Sequence, residues 1–231
     1  MNCGRVCAVL LAGGSGTRMN LEISKQRLLI KGESVLYRAI KAFESCDDIT
    51  DIVLVVKEDD MDFAIRETEG KFSKIRRIVK GGKNRAYSAK NGFSAIDFPC
   101  DFVAIHDVAR CLIKPEMITK VVLDAKKYGA ATASFVVTDT VKRISSEGCI
   151  LGTLKREELR LAATPQIFKY EFYQRALFEN DIEDPLITDD NMLMERLGIP
   201  VFMTDTGKTN IKITHAEDVL YAEYLLGDAN V

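Results

Sequence analysis

An α/β fold, with a mostly parallel open sheet covered by helices on both faces, is predicted by three observations. Short runs rich in β-branched residues alternate with helix-length segments whose apolar residues recur at three- and four-residue spacing. The runs are continuously apolar, as strands buried on both faces are. No tract rich in Gly, Ser or Pro and no internal repeat marks a boundary, so residues 1–231 are expected to form one domain.

The elements follow in order. "VCAVLLA" (6–12) is the first strand, and "SVLYRAIKAFES" (34–45) the first clear amphipathic helix. "DIVLVV" (51–56) and "IRRIV" (75–79) are strands, "NRAYSAKNGFSAI" (84–96) a helix, and "DFVAIHD" (101–107) a strand. "PEMITKVVLDAKKYG" (115–129) is a helix followed by the strand "ATASFVV" (131–137). The rhythm breaks at "TDTVKRISSEGCILGTLKR" (138–156), two extended polar-alternating stretches around "SSEG", which signal a hairpin. It is expected either at the edge of the sheet or as an arm packed against a second subunit, since an isolated hairpin buries little of itself.

Apolar residues make up 47% of the chain, enough for a core. Charged residues make up 29% and nearly cancel to a net charge of -2, which gives no polybasic footprint for nucleic acid or an anionic membrane. The six cysteines are scattered without a CxxC pair, which argues for reduced thiols in a cytoplasmic protein. The apolar run before Gly13 is too short for a secretory signal or a membrane span, so a soluble protein is expected.

The most informative stretch is "LLAGGSGTRMNLEISKQRLL", Leu10 to Leu29. A dinucleotide-binding GxGxxG fails at Met19, and a GxxxxGK[ST] loop fails because Gly16 is followed by Thr17. What remains is glycines that let backbone N–H groups approach an anion, with the planar fork of Arg18 and the compact charge of Lys25 beside them. That combination suits a triphosphate, although by itself a glycine-rich loop can equally be a plain strand-to-helix turn.

"LAGGSGTRM" with "KQRLL" downstream resembles the signature of the sugar nucleotidyltransferases. "GGKNRAYSAKNGF" (81–93), "IHDVAR" (105–110), "DTVKR" (139–143), "ATPQIF" (163–168), "TDD" (188–190) and "NIKIT" (210–214) narrow the resemblance to the methylerythritol phosphate cytidylyltransferase family, across residues 6–226. The resemblance implies a Rossmann-like sheet and a homodimer in which the 138–156 arm reaches the neighbouring subunit. It also implies transfer of a cytidylyl group from CTP to the phosphate of a polyol phosphate, with Mg2+ or another divalent cation.

By that resemblance Arg18, Lys25 and Lys212 are the catalytic cations. Leu11, Ala12, Gly13, Gly14, Gly16, Gly81, Gly82, Arg85, Ser88 and Asp107 hold the nucleotide. Arg110, Thr140, Arg156, Thr188 and Asp189 hold the polyol phosphate. Asp107, at the end of an apolar strand where open α/β sheets bind ligands, is the metal candidate. Thr188 and Asp189 are also placed to cap the helix "NMLMERLG", and Lys212 is expected on a short strand between Ile211 and Ile213. Ser24, Cys111 and Arg160 depart from the family's usual Pro, Pro and Trp, which alters local stiffness without removing a charged group. "HDVAR", "LAATPQ" and "TDD" favour this branch over the related ribitol-5-phosphate cytidylyltransferases, and retention of all four charged groups Arg18, Lys25, Asp107 and Lys212 argues against a non-catalytic nucleotide-binding protein.

Overall fold

The structure, a computed structural model, describes residues 4–13 and 24–227. Strand β1 (Val6–Ala12) leads to the short pair β2 (Leu29–Ile30) and β3 (Glu33–Ser34), then to helix α1 (Val35–Glu44). There follow β4 (Asp51–Val56), α2 (Met61–Thr68), β5 (Ile75–Lys80), α3 (Arg85–Ser94), β6 (Phe102–Asp107) and α4 (Pro115–Tyr128). The second half holds β7 (Ala130–Val136), β8 (Lys142–Ile144), β9 (Ile150–Thr153), β10 (Arg160–Lys169), α5 (Tyr170–Glu179), α6 (Asn191–Arg196), β11 (Phe202–Asp205) and α7 (Ala216–Gly227).

Helix ends follow their local chemistry. The Ser34 side chain accepts from the Tyr37 N–H at the start of α1, and Asn84 accepts from the Tyr87 N–H at the start of α3. Pro115 opens α4, and Gly129, at φ 89°, closes it in the left-handed region that glycine enters without strain.

The central sheet has seven strands in the order β11-β7-β10-β6-β1-β4-β5. β1 lies between β4 and β6 and is parallel to both. β1, β4 and β6 are buried along their whole length, which is why they read as apolar runs, interrupted only at the ends of β4 and β6 by Asp51 and by His106 and Asp107. Alternate residues of β1 serve opposite faces. Val6, Ala8 and Leu10 pack with α1 and α4, through residues such as Ile40, Phe43 and Val122. Cys7, Val9 and Leu11 pack with α3, α5 and α6, through Phe93, Tyr173 and Met194. Gly92 lets α3 lie close to the sheet, because a Cβ there would stand 2.3 Å from Val9 Cγ1 and 2.6 Å from Val55 Cγ2.

The structure adds strands that the periodicity leaves unread. β10 runs antiparallel between β6 and β7, with its register broken between Ala162 and Gln166, where Pro165 cannot donate to the ladder. β11 pairs in parallel with β7 at one edge. β8 and β9 pair only with each other in a separate two-stranded sheet, so the 138–156 hairpin is an arm and not an edge of the main sheet.

Candidate active site

The chain leaves β1 toward β4 and β5, then returns through α3 to β6 on the other side of β1. The carboxyl ends of β1 and β6 therefore flank the point where the strand order reverses, where open α/β sheets bind ligands. A cavity of about 630 Å³ opens there. Its lining includes Leu11 and Gly13 after β1, the Gly81–Gly82 turn after β5, Arg85 and Ser88 of α3, Asp107 at the end of β6, and Lys25 and Lys212. Lys57, Lys80 and Lys83 also line it, so among the described residues six cations face three carboxylates, Glu58, Asp59 and Asp107. In a chain of net charge -2 this is a local excess of positive charge that suits a polyanion.

Asp107 is the centre of the floor. Arg85 Nε donates to its Oδ1 at 2.9 Å and Lys212 Nζ donates to its Oδ2 at 2.6 Å. Burial pushes the Asp107 carboxyl up, and the charges of Arg85 and Lys212 outweigh it and hold the group well below the usual carboxylate range. Its backbone N–H donates to Thr164 Oγ1 at 3.1 Å, and that hydroxyl also lies 3.0 Å from His106 Nδ1. His106 is fully buried with its ring 4.7 Å from that of Phe43, and burial lowers its pKa to about 3, so it is neutral.

The guanidinium of Arg85 reaches a second carboxylate, donating from Nη1 to Asp190 Oδ2 at 2.6 Å. Burial works against its charge, and Asp190 and Asp107 more than offset that, so its pKa is raised. Lys25 opens a short 3-10 turn, Lys25–Arg27, and its Nζ donates to the carbonyl oxygens of Thr214 at 3.1 Å and Ile213 at 3.4 Å. Thus the segment around Lys212 is tied directly to the "KQR" turn. That segment is not a strand, contrary to expectation: its Ile213 N–H donates to Ala109 O at 2.8 Å, in the loop just beyond β6. The in-and-out alternation survives, with Ile213 buried and Lys212 exposed.

The Gly81–Gly82 turn is pinned from within. Ser88 Oγ donates to Asn84 O at 2.9 Å and accepts from the Gly82 N–H at 3.1 Å, which engages the hydroxyl in shaping the turn. A Cβ on Gly82 would lie 2.2 Å from Tyr87 Cβ and 2.9 Å from Tyr87 backbone carbon, so only glycine fits this close approach.

The polyol-phosphate candidates spread more widely. Arg110 follows β6 and donates from Nη1 to Asn210 O at 2.9 Å, and burial lowers its pKa while leaving it a cation. Arg156, at the base of the arm, donates to Thr138 O at 2.8 Å, and Thr140 is exposed on the same arm. Thr188 is exposed, and Asp189 accepts from the Met192 N–H at 3.2 Å, which makes it part of the α6 cap. Thr188 and Asp189 line a small pocket beside Arg85. Arg156 and Thr140 do not line the main cavity. Gly14, Gly16 and Arg18 lie outside the described residues.

Sequence reasoning passed over Asp190, Gln166 and Thr164, although "TDD" and "ATPQIF" contain them. The available signal was Pro165 inside an otherwise strand-like run, which marks a bulge that can turn a side chain toward a site. Among the described residues no cluster of three or more His, Cys, Asp or Glu could hold a metal by itself.

Known proteins share this architecture. Residues 6–228 match the family model described as 2-C-methyl-D-erythritol 4-phosphate cytidylyltransferase. A protein of that name from Caldanaerobacter subterraneus is 40% identical over 223 residues, covering 96% of this chain and 98% of its own. Another from Clostridium perfringens is 38% identical over 224 residues, covering 96% and 99%. The crystal structure of 4-diphosphocytidyl-2C-methyl-D-erythritol synthase from Anaerococcus prevotii superposes with a TM-score of 0.88 at 27% identity, covering 98% of this chain and 97% of that one. That of the cytidylyltransferase from Thermus thermophilus superposes at 0.77 with 26% identity, covering 96% and 98%.

Proposed function

The chain belongs to the 2-C-methyl-D-erythritol 4-phosphate cytidylyltransferase family, and on that premise we propose that the cleft between β1 and β6 is where CTP and the polyol phosphate meet. The enzyme is a nucleotidyltransferase that transfers a cytidylyl group from CTP to 2-C-methyl-D-erythritol 4-phosphate, giving the CDP-methylerythritol product and pyrophosphate, a step of isoprenoid precursor biosynthesis by the non-mevalonate route. The observation that carries the assignment of the site is a cation-lined cavity at the strand-order reversal, with one carboxylate held rigid on its floor.

A phosphate oxygen of the polyol phosphate attacks the α-phosphorus of CTP, and the bond to the β-phosphate oxygen breaks as pyrophosphate leaves. A phosphate monoester is already a nucleophile, so no general base is required. The protein's task is to bring two repelling polyanions together and to neutralise charge that develops at the α-phosphorus. Lys25 and Lys212 are suited to this, being point charges that line the same cavity, with the Lys25 ammonium tied to the backbone carbonyls just after Lys212. Arg18 and the glycines after β1 complete the cradle by the family's pattern. By the family's pattern Gly13 and the Gly81–Gly82 turn offer backbone groups to the nucleoside, with a close approach that accommodates a pyrimidine better than a purine. Thr188 and Asp189, in the small pocket that shares Arg85 with the main cavity, and Arg110, which follows β6, suit the polyol phosphate by the family's pattern, although none of the three lines the main cavity itself.

Asp107 fits a divalent cation in the way such ions meet triphosphates, through one carboxylate with water and phosphate oxygens supplying the rest. Each of its oxygens keeps a lone pair beyond the bond to Arg85 or Lys212. Mg2+ bound there would neutralise phosphate charge. The arm exposes Ile144, Ile150, Leu151 and Leu154, an apolar strip that a two-stranded hairpin cannot bury alone, and a second copy of the chain covering it accounts for a homodimer. The described cysteines are all free thiols, which suits a reducing compartment such as the cytoplasm. No described helix is long and apolar enough to cross a membrane.

Pyrophosphate release measured with CTP and either 2-C-methyl-D-erythritol 4-phosphate or D-ribitol 5-phosphate tests the reading, with the first expected to give the larger kcat/KM. In the same assay Lys25→Ala or Lys212→Ala should lose about 100-fold or more in kcat while remaining folded. Turnover at the wild-type rate in both lysine variants would overturn the assignment of this cleft.

A further inference from the structure

We propose that Asp190 is a positioning residue for this reaction: buried at the head of α6, it braces the Arg85 guanidinium so that Arg85 holds the Asp107 carboxylate in the cleft instead of turning to the substrate phosphates. The proposal rests on the cytidylyl-transfer reading of the cleft.

Five groups on separate parts of the chain form one continuous run of contacts. The Tyr173 hydroxyl on α5 donates to Asp190 Oδ1 at 2.6 Å, and Arg85 Nη1 at the first turn of α3 donates to Asp190 Oδ2 at 2.6 Å. Arg85 Nε donates to Asp107 Oδ1 at 2.9 Å, and Lys212 Nζ closes the run on Asp107 Oδ2 at 2.6 Å. Asp190 is itself fixed from two sides, because its backbone N–H donates to Gln166 Oε1 at 2.9 Å while its carboxylate carries Tyr173 and Arg85.

The inner end of the run is rigid. Tyr173 is fully buried, its ring stacked with Phe168 at 5.5 Å between centroids and edge-on to Phe93 at 5.2 Å. The Asp190 side chain is 3% exposed, so it cannot follow Arg85 outward. The outer end is not rigid by itself. An arginine fork has five donors and pairs strongly with phosphate oxygens, and the Arg85 side chain, 30% exposed, borders a cavity suited to a triphosphate. Held only by Asp107, it would be drawn to the nucleotide and release the carboxylate. Held also by Asp190, it keeps two of its donors committed and the Asp107 oxygens keep their direction. Asp189, next in sequence, does not share this role: its carboxylate accepts from Gln166 Nε2 and from the α6 backbone.

Asp190→Asn keeps the shape and removes the charge, and Tyr173→Phe removes only the hydroxyl that steadies Asp190. With wild-type Arg85 present, Asp190→Asn is expected to lower kcat by roughly 10- to 100-fold, and Tyr173→Phe by less, as loss of an outer partner that orients a functional group does. In an Arg85→Met background Asp190→Asn should add at most about a further twofold loss, because its effect passes through the guanidinium. A loss of equal size in both backgrounds, or a wild-type kcat in Asp190→Asn, would overturn the brace.

A second readout needs no substrate. The Arg85 Nε–H resonance of the 15N-labelled protein, identified by its loss in Arg85→Met, should be sharp and slow to exchange in the wild type and broadened in Asp190→Asn and Tyr173→Phe at unchanged circular dichroism. An unchanged resonance in both variants overturns the proposal. A wild type inactive on CTP and the methylerythritol phosphate counts against the reading of the reaction instead, and the resonance then decides the brace alone.

Discussion

Replacing Arg85 by Met removes a guanidinium that two buried carboxylates, Asp107 and Asp190, share, and its cost in stability follows from what each carboxylate keeps. Asp107, with a side chain 12% exposed, retains Lys212 at 2.6 Å. Asp190, 3% exposed, retains only the Tyr173 hydroxyl and no cation among the described residues. The variant is therefore left with one uncompensated buried charge, and breaking a buried ion pair from one side costs about 3–5 kcal/mol. For a chain of this size each kcal/mol lowers Tm by about 2–4 °C, so a fall of about 6–20 °C is expected at neutral pH. Lys212→Met, which takes away a half-exposed partner and leaves Arg85 on Asp107, should cost no more than about 1 kcal/mol. Differential scanning calorimetry of the two variants beside the wild type makes the comparison, with unfolding in urea to give the free energy. If Lys212→Met proves as destabilising as Arg85→Met, the assignment of Asp190 as the group left orphaned is wrong.

Acid should destabilise the protein through His106: burial lowers its folded pKa to about 3 against an unfolded value near 6.5, so the neutral ring's stabilisation is complete above about pH 6.5 and is lost as pH falls toward 3. The slope is about 1.4 kcal/mol per pH unit, or about 2 kcal/mol between pH 6.5 and 5, and urea unfolding of His106→Phe over that range should show it removed; equal slopes in the two proteins would refute it. Gly92→Ala puts a methyl 2.3 Å from Val9 and 2.6 Å from Val55 and should cost about 1–3 kcal/mol by forcing α3 off the sheet, whereas an unchanged Tm would show that the helix rides more loosely than its geometry indicates. If the arm mediates the proposed homodimer, Ile144→Asp with Ile150→Asp, which charges its exposed strip, should lower the sedimentation coefficient from that of a dimer to that of a folded monomer; a wild type that sediments as a monomer, or a dimer left unaltered by the pair, would overturn the arm contact.

What the sequence determined by itself is local or linear. β1, β4 and β6 are legible because a strand buried on both faces is apolar along most of its length, with Asp51, His106 and Asp107 confined to strand ends, and α1, α3 and α4 because a helix on a sheet needs one apolar stripe. Asp107 at a strand end is legible for the same reason, since it closes a strand that periodicity reveals, whereas a nucleotide role for the Gly81–Gly82 turn was implied only by the family resemblance. The arm was legible as a hairpin but not as a sheet of its own, because a hairpin's sequence carries its turn and not its neighbours. Tertiary structure alone decided the rest. β10 is exposed over its first three residues and buried over the next six, with a proline in its middle, so no single period describes it until β6 and β7 are placed on either side. The pairing of Arg85 with Asp190 spans 105 positions, as does that of Lys212 with Asp107. A charged residue in a sequence looks the same whether water or a buried partner will neutralise it, and only the closing of the chain brings the partner within 3 Å and excludes the water that would otherwise screen the pair.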